Sequence, residues 1–403
     1  MELKNYFDGL VESLGQKVAE KKTARRVFAY ETGRIGQKLF DPDYASAWTG
    51  VFVPFELLQA MDVGAVFIEF VGAMLAGTGQ SPAFLRRAEE YGWPKDACSY
   101  HRALTGAALH DILGKPKLMI GATTPCDGGL KTLLNLARHM NVEPFTLDIP
   151  YAPATKEKIA YMVGQYGELE EYVYRNSGKR LDIDRLRESA KMSNRASEIV
   201  RDMYALCRKT PAPVSSDTLR NFQIVFALLM GTREGVDTAE VFLEEARAHD
   251  AADCAGLPEE KFRLMWIQNR IQFKNNLTKW LEERFGAKIV IDELNHIYWD
   301  NLDEDNPLEG LAERQINHPL NGTIDARVKI LRMLAAEYKV DGAVNPSHWG
   351  CRQNCGARLV MQDSLRDLNV PVINLDVDCI DPANYFEGQM MTRLQSFMEM
   401  LER

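Results

Sequence analysis

Nowhere in the sequence do about 18 consecutive apolar residues occur, the length that a membrane-spanning helix needs, so no span is expected. The opening residues, MELKNYFDGLVESLGQKVAEKK, are amphipathic and charged. They lack the apolar stretch of a secretory signal, and the expected compartment is the cytoplasm. Basic charge is in short supply: 48 Lys and Arg face 57 Asp and Glu, for a net charge of −9. That balance argues against the broad basic face of a nucleic-acid binder, though a local basic pocket could still take an anion. There is no short repeat, no low-complexity tract and no GxxxxGKS or GxxxxGKT phosphate loop. No C-x2-C pair occurs, which weakens a thioredoxin-like redox reading. The seven cysteines are odd in number and fit a complete disulfide framework poorly. In a reducing compartment, metal binding or catalysis is the better use for them.

What is present is the composition of a soluble globular protein, 46% hydrophobic and 26% charged. The 403 residues are too many for one ordinary core, so two or three domains are expected. Helical periodicity covers roughly residues 2–21. The stretch DPDYASAWTGVFVPFELLQAMDVGAVFIEFVG then reads as loop, helix and strand, with Pro54 suited to the first turn of the helix. Helices are expected from about Pro82 and again from about Cys98. PKLMIGATTPCDGGLKTLLNLARHM reads as strand, loop and helix, and VEPFTLDIP as the next strand. From about Lys156 to Arg247 charged helical periodicity dominates, with FQIVFALLMG as an apolar helix inside it. Beyond GLPEEK, strands (FRLMWIQN, AKIVIDELN, VDGAVNPS, VPVINLDVDCID) alternate with helices to the last one, EGQMMTRLQSFMEMLE. Such alternation implies parallel sheets covered on both sides. The expected fold is α/β, with two Rossmann-like or flavodoxin-like domains joined by a helical segment. The boundaries are drawn at 1–155, 156–258 and 259–403.

In open parallel sheets, ligands gather at the carboxyl ends of strands. Cys126 follows KLMIGA, Cys351 and Cys355 follow DGAV, and Cys379 follows VPVINLDV. Cys98 lies at an expected helix start, where terminal N–H groups favour a thiolate. Cys207 and Cys254 fall in or beside the helical segment and read as small buried hydrophobes. Any one of the other five could be filler too, but both halves repeat the same device of strand, loop, cysteine and helix (CDGG and CGAR). Cys351 and Cys355 are spaced C-x3-C without a second pair, which is incomplete for structural zinc. Thiolates scattered along a chain can also hold an iron–sulfur cluster, and three of them would leave one iron open.

Six segments carry a resemblance: WTGVFVPFELLQA (48–60), DACSYHRALTG (96–106), GATTPCDGG (121–129), HPLNG (318–322), NPSHWGCRQNCGA (345–357) and VPVINLDVDCIDPANYFEGQMMTRLQSFMEML (370–401). In this order and spacing the sequence resembles the 2-hydroxyacyl-CoA dehydratase family, which also contains benzoyl-CoA reductase subunits and double-cubane proteins. The segment FRLMWIQNRIQ departs from it, lacking the glycine that the resemblance would put there. The resemblance implies a [4Fe-4S] cluster in the cleft between two similar domains, held by Cys98, Cys126 and Cys351. Cys355 and Cys379 do not match ligand positions, though either could replace Cys351 or add to it. FVPF and MWIQ stand where the double-cubane members carry further cysteines, which favours a single cluster.

The implied reaction removes water from a 2-hydroxyacyl-CoA. One electron enters the thioester carbonyl, the ketyl radical expels the α-hydroxyl, the β proton becomes acidic enough to leave, and the electron is returned. The resemblance also implies a homologous second subunit and a separate ATP-hydrolysing iron–sulfur activator; the missing phosphate loop agrees with the latter. Glu56, in the first turn of its helix, either favours the helix dipole or orients substrate near the open iron, with Ser46 and Trp48 helping from the same loop. His348 is either a proton shuttle or a hydrogen-bonding neighbour of cluster sulfur, and Trp349 could add to the apolar shell. A ring-reducing subunit of the benzoyl-CoA type and a non-catalytic electron-relay partner are the alternative functions.

Overall fold

Two four-stranded sheets, each wholly parallel, organise the chain, and they share one topology. The structure, a computed structural model, describes residues 3–38, 41, 46–219, 228–296 and 300–403. The first sheet has the order β2-β1-β3-β4, from β1 (Ser46–Thr49), β2 (Gly64–Phe67), β3 (Leu118–Ala122) and β4 (Pro144–Leu147). The second has the order β6-β5-β7-β8, from β5 (Phe262–Trp266), β6 (Ala287–Asp292), β7 (Gly342–His348) and β8 (Val372–Val377). In each, the chain steps outward once and then crosses back past its first strand. The crevice beside that first strand is where open α/β sheets bind ligands. The expected α/β class with two Rossmann-like or flavodoxin-like sheets is therefore present.

Strand length follows sequence. LMIGA in β3 is buried throughout, as a central parallel strand must be. The run VGAVFIEF is shorter as a strand than its apolarity suggests: β2 ends at Phe67, and Ile68–Gly77 turns helical with eight buried residues. A buried helix and a buried strand look alike in a short apolar run. Ser46 and Trp48, expected in a loop, lie in β1 instead, and Trp48 is buried. Pro54 occupies the N-cap position of helix Phe55–Ala60. The apolar segment FQIVFALLMG falls largely outside the described residues. Among the described residues, no helix is long and apolar enough to cross a membrane.

The long helix Lys156–Ser177 covers the first sheet, and Ile183–Leu206 packs on helix Phe55–Ala60 beside it. Tyr172 binds Lys156–Ser177 to the sheet: its hydroxyl accepts from Met119 N (3.1 Å) and donates to Glu143 O (2.6 Å). Leu311, Ala312 and Ile316 of helix Pro307–Ile316 enter the same core, so a segment that follows β6 packs on the first sheet. Gln315 donates to Phe52 O from this helix, and Asn321 to Pro150 O at 2.9 Å. His318 is buried against the Phe52 ring, with centroids 4.0 Å apart, and its Nδ1 accepts from Leu320 N at 3.1 Å.

Burial and the nearby Arg314 cation depress the His318 pKa to about 3. The unfolded chain then binds a proton near the ordinary histidine value that the folded chain refuses. Stability contributed by neutral His318 is complete above about pH 6.5 and is lost as pH falls toward 3. Urea unfolding should show this loss between pH 6.5 and 4, and His318→Asn should flatten it. An unchanged slope would remove His318 as its cause.

Candidate active site

A cavity of about 1040 Å³ lies between the two halves. The carboxyl ends of both sheets feed it. Val51 and Phe52 follow β1, Pro125 and Cys126 follow β3, Gln268 to Arg270 follow β5, and Gly350 and Cys351 follow β7. These are the two crossover points of the topology.

Cys98, Cys126 and Cys351 all line the cavity, and each occupies the N-cap position of a helix. Cys126 Sγ accepts from Gly129 N at 3.4 Å. The backbone of Tyr100 and His101 favours a Cys98 thiolate in the same way, and that of Asn354 favours one at Cys351. These donors do not win. Burial holds Cys98 well above the usual thiol range, and Cys351 and Cys126 add to the shift because their charges would repel it. Burial likewise pushes Cys126 to about 11 and raises Cys351. All three line the same cavity, although Cys351 lies more than two hundred residues beyond Cys98 and Cys126 in sequence.

The contact that brings them together is backbone on backbone. Gly350, at φ +76°, lies so close to the Cys98 turn that a Cβ there would sit 2.4 Å from Cys98 N. Only glycine meets both the left-handed conformation and this approach. Around it, Ser99 Oγ donates to Asp378 Oδ1 at 2.5 Å, Arg102 lies 3.6 Å from Asp378 Oδ2, and Gln353 donates to Pro125 O at 2.7 Å.

His348 sits at the end of β7, fully enclosed, with the Tyr100 ring edge-on at 5.2 Å. Its Nδ1 accepts from Cys379 N at 3.0 Å, which leaves Nε2 to carry the proton. Nε2 faces Cys98 Sγ at 3.5 Å. Burial depresses the His348 pKa to about 4 despite Asp378 nearby, so the ring is a neutral donor at physiological pH. Cys355 is exposed and donates to His348 O at 3.2 Å; its sulfur lies on the cavity wall beside Cys351. Cys379 is buried and does not line the cavity, and Cys207 and Cys254 are buried elsewhere. Trp349 is partly exposed at the same turn.

Glu56 is elsewhere. It is buried under the first sheet, not on the cavity wall, where its Oε1 accepts from Arg314 Nη2 (2.6 Å) and Ser193 Oγ (2.7 Å). Burial alone would raise its pKa, but Arg314 and the hydrogen bonds outweigh that and lower it. Two wall residues went unremarked in the sequence. His101 and Glu69 form a pair at 3.2 Å beside Cys126, and Glu69 Oε2 is buried without a partner. The spacing of Cys98 and His101, one helical turn apart, was a signal for the first of these. Gln268 and Arg327 also reach the wall, and no spacing pointed to them.

Residues 50–401 match the family model described as 2-hydroxyglutaryl-CoA dehydratase, D-component, and the chain belongs to that family. It is 23% identical over 371 residues to the (R)-phenyllactyl-CoA dehydratase alpha subunit of Clostridium sporogenes, covering 88% of this chain and 89% of that one. It is 23% identical over 413 residues to the (R)-2-hydroxyisocaproyl-CoA dehydratase alpha subunit of Clostridioides difficile, covering 96% and 98%. A benzoyl-CoA reductase subunit of Thauera aromatica is 24% identical over 352 residues, covering 80% and 81%.

The Glu56–Arg314 pair predicts a stability phenotype. Glu56→Ala leaves a largely buried guanidinium without its partner and should cost about 3 kcal/mol in urea unfolding. Unfolding at the parent midpoint would overturn this structural assignment.

Proposed function

We propose that the chain is the iron–sulfur subunit of a 2-hydroxyacyl-CoA dehydratase, with Cys98, Cys126 and Cys351 as ligands of a [4Fe-4S] cluster. The observation that carries the reading is the convergence of three helix-capping thiols from both halves on one cavity, in a chain of the dehydratase family. The donor set fits such a group. Among the described residues, no three His, Cys, Asp or Glu side chains cluster tightly enough for a single metal ion. A cubane binds each thiolate to a different iron, so its ligands stand further apart than those of one ion. Buried thiols with raised pKa values are poor thiolates until a cation takes the proton's place, and metal binding does this.

When bound, the cluster would supply a low-potential electron and a Lewis-acidic iron. This chain's residues do the rest. His348 donates Nε2–H to the Cys98 sulfur; as a neutral, enclosed ring it positions that ligand rather than relaying protons. The Glu69–His101 pair on the wall would hold the β proton of the substrate, with the Glu69 carboxylate as acceptor. Glu56 would act through the packing of its helix, not on substrate. An acyl-CoA is the expected substrate, a homologous second subunit the expected partner, and a separate ATP-hydrolysing protein the expected electron donor. Relatives named as alpha subunits support the partner. Similarity to a benzoyl-CoA reductase subunit supports a second reading, ring reduction at the same site. Electron counting separates the two, because dehydration consumes no net electrons and ring reduction consumes two.

Protein purified without oxygen should be brown and hold about four iron and four sulfide per chain. Cys351→Ala should lose them and Cys355→Ala should keep them. The reverse would move the third ligand to Cys355, and colourless parent protein that cannot be reconstituted would end the reading. Glu69→Gln should retain the iron while turnover falls at least 100-fold; parent-like turnover would clear Glu69 of the proton role.

A further inference from the structure

Gln268 follows β5 in the left-handed backbone region, at φ +53°, where glutamine is uncommon. It is buried, 5% exposed, and both ends of its amide are committed. Oε1 accepts from Arg327 Nη2 at 2.7 Å, and Nε2 points at Cys351 Sγ, 3.5 Å away. Arg327 is clamped in turn. It donates from Nε and Nη2 to the two carboxylate oxygens of Glu293, the latter bond at 2.9 Å, and from Nη1 to Gln353 O at 2.6 Å. A flipped Gln268 amide would set NH2 against the guanidinium, so Arg327 fixes which end of the amide meets the sulfur. An unusual backbone conformation held by a buried ion pair, so that one N–H faces one thiol, is more than packing requires.

We infer that Gln268 is a tuning residue for the group bound by Cys351: a hydrogen-bond donor, aimed by the Glu293–Arg327 pair, that makes that group easier to reduce. This rests on the assignment of Cys351 as a cluster ligand. The physical reason is charge. Reduction adds negative charge to an iron–sulfur group and spreads it onto the sulfurs, and a donor at the sulfur stabilises the reduced form more than the oxidised one. Glu293 cancels the charge of Arg327, so the pair contributes orientation more than net field. Gln268 can therefore be changed while the buried pair stays intact.

The test is an EPR-monitored titration with titanium(III) citrate of anaerobically purified protein, comparing the parent with Gln268→Met and Gln268→Gly. Met keeps the side-chain length and removes the donor. Gly removes the donor and relieves the left-handed backbone, so the fold is retained by at least one of the two. The expected result is parent-like iron in both variants and, at a fixed poise, about a tenfold smaller ratio of reduced to oxidised cluster, equivalent to about 59 mV for one electron. Parent-like iron with an unmoved potential overturns the inference and leaves the proposed function standing. Loss of iron in both variants, with iron in the parent, overturns it in favour of a structural role. A parent without iron overturns it together with the assignment of Cys351.

Discussion

Everything at this site depends on a near-contact between two backbones. The turn after β7 presses Gly350 against the turn that begins the Cys98 helix, and no side chain fits between them. Cys98 belongs to the first half of the chain and Cys351 to the second, so neither sheet alone can bring their sulfurs to one cavity. The polar contacts around the glycine seal this junction. Asp378 accepts from Ser99 and from its own turn (Ile380 N and Asp381 N, each 2.9 Å), and Gln353 reaches back to Pro125. Ser99 and Gln353 are satisfied across the junction, so opening it would leave both of these side chains unpaired at once.

The two halves contribute in the same manner because they have the same topology. A parallel sheet whose chain crosses back past its first strand leaves a crevice at the carboxyl ends, and helices that start there aim their free N–H groups into it. Cys126 and Cys351 stand at such starts. Cys98 does not follow a strand; it caps a helix between β2 and β3 and enters the crevice from the side. Two similar crevices set face to face enclose a space that neither could exclude from water by itself.

Much of this was legible in the sequence, for physical reasons. Apolar runs such as KLMIGA and the strand–helix alternation located most strands; the position of cysteines after those strands marked Cys126, Cys351, Cys355 and Cys379 alike, of which Cys379 does not line the cavity. What escaped was what periodicity does not encode. β1 is four residues long and includes Ser and Thr, so Ser46 and Trp48 read as loop. Glu56 looked like a first-turn carboxylate beside a site, but Arg314, 258 residues later, draws it into a buried pair. At FRLMWIQN the missing glycine looked like a simple departure. Gln268 there takes up the left-handed backbone itself, and only the distant Arg327 explains what that arrangement does.

The electrostatics of the cavity run in one direction. Burial opposes thiolate formation at Cys98, Cys126 and Cys351, and the mutual proximity of the sulfurs opposes it further. Yet N–H donors from Gly129, His348 and Gln268 face these same sulfurs. Donors are of little use to a protonated thiol, which is a weak acceptor, and of much more use to sulfur that carries charge. The protein has therefore arranged its dipoles for a state that its own burial disfavours when the thiols stand alone. The two tendencies are reconciled if the sulfurs become anionic against a positively charged guest, with the donors then setting how readily the assembly accepts further negative charge. A buried neutral histidine serves this arrangement better than a charged one, because it donates to sulfur without a fixed cation that would need its own counter-ion.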